Sequence, residues 1–198
     1  MGTIKTTNIE PIADNGTVTL GSSGDTFQTA SGVLSRLGVF ESQLLHVRDE
    51  KGTTVGGGTS LAYDGSNYSS GVQTRTLNTI KTNEITGASL SSNQITLPAG
   101  TYYIHSSVPG QKVGNSHHYL YNVTDTSNTL TSTTGGVPTS IGITLRSEIY
   151  GRFTINSSKV FEIKHFTRYA FSTFGLGEYN NIGTFPSVYT EVKIWRTA

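Results

Sequence analysis

The stretch Asn93–Val108, NQITLPAGTYYIHSSV, limits the possible folds more than any other part of the chain. Ile95 and Leu97 alternate with Gln94 and Thr96, the alternation breaks at Pro98-Ala99-Gly100, and it resumes through Tyr102 and Ile104. A period of two marks a strand with one buried face and does not fit a helical stripe. Pro98 withdraws a backbone donor and so ends a ladder, while Gly100 admits a positive φ. The stretch therefore predicts strand, tight turn, strand: a hairpin with Tyr102 and Ile104 on one face and Tyr103 and His105 on the other. It holds no acid–base pair and no ligand set, which points to a protein that works by shape and assembly.

The same alternation recurs at Val72–Thr79, Gly87–Leu97, Thr101–Val108, His117–Val123, Ile141–Ile155, Val160–Thr167 and Val188–Arg196, with turn-forming clusters between. Short strands at this spacing predict an all-β sandwich or jelly roll, and 198 residues suit one main domain. With 14% charged residues and 23 Gly the composition borders on that of disordered chains, but the 10 Tyr and 8 Phe fall largely in alternating segments, which disordered chains lack. Residues 1–32 stand apart. Two apolar-poor strands, Thr17–Leu20 and Thr26–Thr29, flank Gly21-Ser22-Ser23-Gly24-Asp25 and bury too little to stand alone. They read as an attachment arm with apolar contacts at Ile4, Ile9, Val18, Leu20 and Phe27, against the plainer alternative of a floppy tail. Val33, Leu34, Leu37, Phe40, Leu44 and Leu45 fit a helical stripe weakened by Gly38, whereas Gln43–Arg48 also reads as a first strand. The two are compatible, giving an arm over 1–32, a neck over 33–42 and a jelly roll over 43–198. The loop from Glu50 to Ser70 is centred on Gly56-Gly57-Gly58; no Lys-Ser or Lys-Thr follows, so it is no phosphate cradle and reads as flexible and exposed.

Net charge is +1 with singly scattered cations, so neither nucleic acid nor a membrane surface is an expected partner. There is no cysteine, so robustness has to come from packing or oligomerisation. MGTIKTTNIEP has no apolar core and the chain has no long apolar run, so neither a signal peptide nor a membrane span is expected, and the protein is read as made in the cytoplasm. Gly2 with Thr6 is too weak a match to indicate myristoylation. Glu148, Glu162, Glu178 and Glu191 lie on or beside predicted strands, yet no spacing makes two of them an acid–base pair. His117 and His118 are adjacent and point to opposite faces, so they cannot share a metal; His105, His117 or His165 meeting its copies on a threefold axis is the remaining metal arrangement. No nucleophile constellation stands out, and the expectation is a protein without catalytic activity, cofactor or metal. Four N-x-S/T sequons, at Asn15, Asn67, Asn122 and Asn156, are what a Ser/Thr-rich chain produces by composition.

The aromatic residues carry more. In Val188–Trp195 the alternation sets Val188, Val192 and Ile194 on one face and Tyr189 and Trp195 with Glu191 and Lys193 on the other, a mixture suited to a protein interface. The succession QTRTLNT (Gln73–Thr79), NQITLPAGTYYI (Asn93–Ile104), HHYLYNVTD (His117–Asp125), GRFTINSSKVFEIKHF (Gly151–Phe166) and VYTEVKIW (Val188–Trp195) resembles the C1q/TNF-like jelly-roll domains of tailed-bacteriophage virion proteins over about residues 43–196. TVTLGSSGDTF also resembles short β-repeats of phage fibres, less specifically. The resemblance implies a homotrimeric structural protein of a virion, a fibre or a capsid or tail decoration. Its arm would bind other virion proteins, and Tyr103, Tyr119, Tyr121, Phe166, Tyr189 and Trp195 would pack around the threefold axis. The lack of a signal peptide, cysteines and a collagen-like stalk favours this over a secreted relative. A second reading is recognition of a host receptor or glycan by the distal loops, through Tyr63, Asn67, Tyr68, Tyr179 and Asn180.

Overall fold

The computed structural model describes residues 43–197, so the expected arm, the neck helix before residue 43 and the contacts at Ile4, Ile9, Val18, Leu20 and Phe27 lie outside the described residues. Among the described residues, twelve strands form two antiparallel sheets. The first sheet has the order β10–β6–β12–β1–β3, built from Thr144–Ile155, Gly100–Gln111, Ser187–Arg196, Gln43–Lys51 and Thr79–Asn83. Leu44 and Leu45 are thus strand residues of β1, as the second reading of that segment expects. The other sheet runs β4–β5–β11–β7–β8, from Ser89–Ser91, Gln94–Leu97, Lys159–Thr167, Gly114–Asn122 and Ser127–Thr131. Two short strands complete it, β2 (Val72–Thr74) on β11 and β9 (Gly135–Val137) on β7.

The period-two pattern does what it predicts. In β11, Phe161, Ile163, His165 and Thr167 point inward and are buried, while Glu162, Lys164 and Phe166 point outward. In β6, Tyr102 and Ile104 are fully buried and Tyr103 is 39% exposed, so the two faces fall as the sequence indicates. The apolar core lies between the sheets, with Tyr102, Phe153 and Phe161 in a chain of ring contacts, each 5.5 Å between centroids.

The connection at Pro98-Ala99-Gly100 is not a hairpin. β5 pairs with β4 and β11 in one sheet, and β6 pairs with β10 and β12 in the other, so these residues carry the chain across the sandwich. Gly100 has no positive φ. The tight hairpin lies one strand earlier, where Ser91 pairs with Gln94 and Ser92 and Asn93 take φ of 51° and 66°, the double positive φ of a type I′ turn. The corner is fixed instead by Tyr102, whose hydroxyl donates to the Pro98 carbonyl at 2.7 Å, and by Arg196, whose Nη2 donates to the Ala99 carbonyl at 2.9 Å. Tyr102→Phe is expected to cost about 1 kcal/mol, the usual net value of one such hydrogen bond; a urea midpoint unchanged from the parent would show that the corner does not use it. The predicted strand Val72–Thr79 likewise divides between sheets: β2 ends at Thr74, and Leu77 donates its backbone N–H to Asn93 Oδ1 before β3 begins in the other sheet.

Gly56-Gly57-Gly58 is not a flexible loop. Gly57 N–H donates to the Gly177 carbonyl at 2.9 Å, Gly58 N–H to Thr173 at 2.9 Å, and Leu176 N–H returns to Gly58 at 3.1 Å. A Cβ on Gly57 would stand 2.4 Å from the Leu176 carbonyl oxygen, so two backbones meet where no side chain fits.

Candidate interaction surfaces

Register aligns the outward side chains of the five-stranded sheet into rows. Tyr103 of β6 lies opposite Arg152 and Trp195, His105 opposite Tyr150 and Lys193, and Ser107 opposite Glu148 and Glu191. The His105 and Tyr150 rings stack at 4.5 Å and 9°, and Tyr103 lies 6.1 Å from Trp195. Tyr150 is 64% exposed. Polar pairs frame these rings: His105 and Glu148 share a hydrogen bond at 2.7 Å, as do His46 and Glu191 at 2.8 Å, and Arg48 forms an ion pair with Glu191 at 2.7 Å. Burial would raise the Glu191 carboxyl, but hydrogen bonds from Arg48 and His46 more than offset it and hold it down at about 2. A carboxylate held so low is no general acid near neutrality.

The outer face of the other sheet carries a second aromatic group. Tyr68, on a single 3₁₀ turn capped by the Asn67 side chain, stacks on Phe166 at 4.7 Å and 4° and bonds through its hydroxyl to His117 Nε2 at 2.7 Å. Tyr63 joins Phe166 at 5.8 Å. Tyr119 and Tyr121 follow along β7, and burial pushes the Tyr119 phenol up to about 12.

These faces divide the predicted residues. Tyr103 and Trp195 belong to the five-stranded sheet, whereas Tyr119, Tyr121 and Phe166 lie on the opposite outer face. The six residues therefore do not form one patch. Tyr189 points outward as expected but is 1% exposed, because residues 51–58 cover it; its hydroxyl donates to the Val55 carbonyl at 2.5 Å and Lys51 Nζ sits 5.4 Å from its ring. Its side chain is spent inside the protomer. Of the loop residues, Tyr63 and Tyr68 join the Phe166 group. Tyr179 instead packs on Phe174 at 5.3 Å, and Asn180 ties down its own loop by donating to the Phe185 and Pro186 carbonyls. Tyr150 lies in the predicted strand Ile141–Ile155, and its pairing with His105 of β6 sets it on the outward face.

The three histidines considered for a shared site lie on three surfaces: His105 on one outer face, His117 on the other and His165 in the interior. Among the described residues no group of three His, Cys, Asp or Glu is placed to hold a metal ion. Glu148, Glu162, Glu178 and Glu191 each have hydrogen-bond partners: Ser107, Gln94, Gln111 and Arg48, respectively.

The interior holds a polar layer that strand patterning did not reveal. His118 is fully buried between hydroxyls, with Ser106 Oγ at 2.7 Å from Nε2 and Ser147 Oγ at 2.6 Å from Nδ1. Arg75, 1% exposed, donates through Nε to Thr190 Oγ1 at 2.9 Å and through Nη2 to the Leu176 carbonyl at 2.8 Å. Ser106 and His118 are spaced as nucleophile and base, but neither is exposed, so no substrate reaches them.

No known family of sequences matches the chain, and no curated protein sequence does. Among solved structures, murine APRIL at pH 8.0 aligns with a TM-score of 0.50 at 10% identity, over 79% of this chain and 99% of that one. The pH 5.0 form gives the same values, and the globular domain of zebrafish complement 1qA aligns at 0.48 with 12% identity, over 80% and 98%. The fold is a C1q/TNF-like jelly roll. The two outer faces of that jelly roll carry different aromatic groups.

Proposed function

We propose that the chain is a homotrimeric structural protein of a phage virion, a fibre or a capsid or tail decoration, anchored by residues 1–32 and projecting its jelly roll outward. The observation that carries the trimer is the ring-lined face of the five-stranded sheet, where Tyr103, Tyr150 and Trp195 stand among charged side chains. Exposed aromatic surface framed by polar groups is the composition of an interface centre and rim. The jelly-roll fold supports it, and the sequence resemblance to virion domains supplies the setting. Function on this reading is multivalent attachment without chemistry, three arms adding avidity that one lacks.

Light scattering of the purified chain tests it. A mass three times 21.2 kDa is expected, falling to one chain in the double variant Tyr103→Glu, Trp195→Glu with strand content retained. A parent protein that stays monomeric at micromolar concentration overturns the proposal. The virion setting is tested by imaging particles that lack the protein; unchanged particles and normal host adsorption would speak against it.

A second reading has its own observation. One face of the Tyr68 ring rests on Phe166 and the residue stays 46% exposed, a geometry suited to stacking on a sugar ring. Glycan-array binding that is lost in Tyr68→Ala would favour recognition by this face of the jelly roll.

A further inference from the structure

We propose that the polar layer inside the jelly roll is a built site for water, holding at least two molecules around His165. Cross-strand pairing sets Gln73, His165 and His118 in one inward row over β2, β11 and β7, with Arg75 two residues beyond Gln73 on the same face. His118 is satisfied by Ser106 and Ser147. Its neighbours are not: Gln73 Nε2, Arg75 Nη1 and both ring nitrogens of His165 are buried without a hydrogen-bond partner among the described residues. His165 is 0% and Arg75 1% exposed. The edge of the imidazole between its nitrogens faces Gly110, where even an added Cβ would lie 3.7 Å from His165 Cε1, so no side chain comes between.

Donor and acceptor chemistry selects the guest. A neutral imidazole offers one N–H and one lone pair, while the free groups of Gln73 and Arg75 only donate. With the Gln73 amide turned so that Nε2 faces inward, direct pairing among the three residues leaves the His165 N–H with no acceptor. An anion accepts but cannot donate, so it leaves the His165 lone pair unmet. Water does both. The two ring nitrogens point apart, so one molecule cannot serve both. Buried waters with about three protein hydrogen bonds each are a normal part of globular interiors, and an orphaned buried polar group is costly enough that such a cluster calls for them.

A crystal structure of the full chain tests this, together with a bromide soak and oxygen-17 relaxation dispersion of the protein in solution. Two or more ordered waters are expected at about 2.7–3.2 Å from His165 and from Arg75 Nη1 or Gln73 Nε2. Relaxation should show long-lived water in the parent and less in His165→Phe. A layer with no such density, an anomalous bromide peak at Arg75, or rotamers that pair Gln73 directly with His165 would each overturn the site. Should His165→Phe fail to fold, the parent density and relaxation decide alone.

Discussion

Acidification from pH 7.5 to pH 5.0 is expected to remove at least about 2 kcal/mol of folding stability, well before most carboxylates titrate. His118 and His165 are buried as neutral rings. Loss of solvent, followed by the nearby Arg75 charge, pushes His118 down to about 3 and His165 well below its ordinary value. Their pKa is lower folded than unfolded, so the unfolded chain binds the extra protons. The native state keeps its full advantage above pH 6.5 and loses it as pH falls toward the folded values. His118 contributes about 1.4 kcal/mol per pH unit once below 6.5, hence about 2 kcal/mol at pH 5, and His165 adds to the loss in the same direction. His46 and His117 shift in the same direction, also through burial. Glu191 extends the loss between 4.5 and about 2, whereas Asp49, raised by burial, opposes it once it takes up a proton. Urea unfolding at fixed protein concentration reads the effect. A midpoint flat from pH 7.5 to 5 would sink it, and His118→Gln with His165→Phe should flatten the slope.

The second large effect is at Gly57. In Gly57→Ala the new methyl carbon would lie 2.4 Å from the Leu176 carbonyl oxygen and 2.6 Å from its carbon, and backbone cannot swing aside as a side-chain tip can. A cost of about 3 kcal/mol is expected, the upper end for overpacking, with release of the segment that covers Tyr189. Gly136→Ala is the matched control: nothing lies within 4 Å of its added Cβ and its φ is not positive, so it should be near neutral. Equal melting temperatures for the two variants would contradict the packing described at Gly57.

What the sequence reveals and conceals follows from how local each feature is. β6, β11 and β12 were legible because their apolar period is carried by consecutive residues. β8 and β9, SNTLT and GGV, have no such period and exist by pairing with β7. The break at Pro98–Gly100 looks the same locally whether the chain doubles back or changes sheets; pairing with β10 and β12 decides it. The triple glycine looks flexible because its partners at 173–177 are over a hundred positions away. Arg75 reads as one more isolated cation, since an alternating Gln-Thr-Arg-Thr does not say that its inward side chains meet histidines. The alternation sets Tyr189 on the outward face, but the segment that covers it belongs to another part of the chain.

β12, the last strand in sequence, is the middle strand of its sheet, joining β1 on one side to β6 on the other. During synthesis the first strand of the jelly roll therefore waits, unpaired on that edge, until nearly everything after it has left the ribosome. Such long-range pairing slows folding and prolongs exposure of sticky edges. A message cut short before Ser187 would leave β1 and β6 with no strand to bridge them, so only chains translated past this point can complete the sheet.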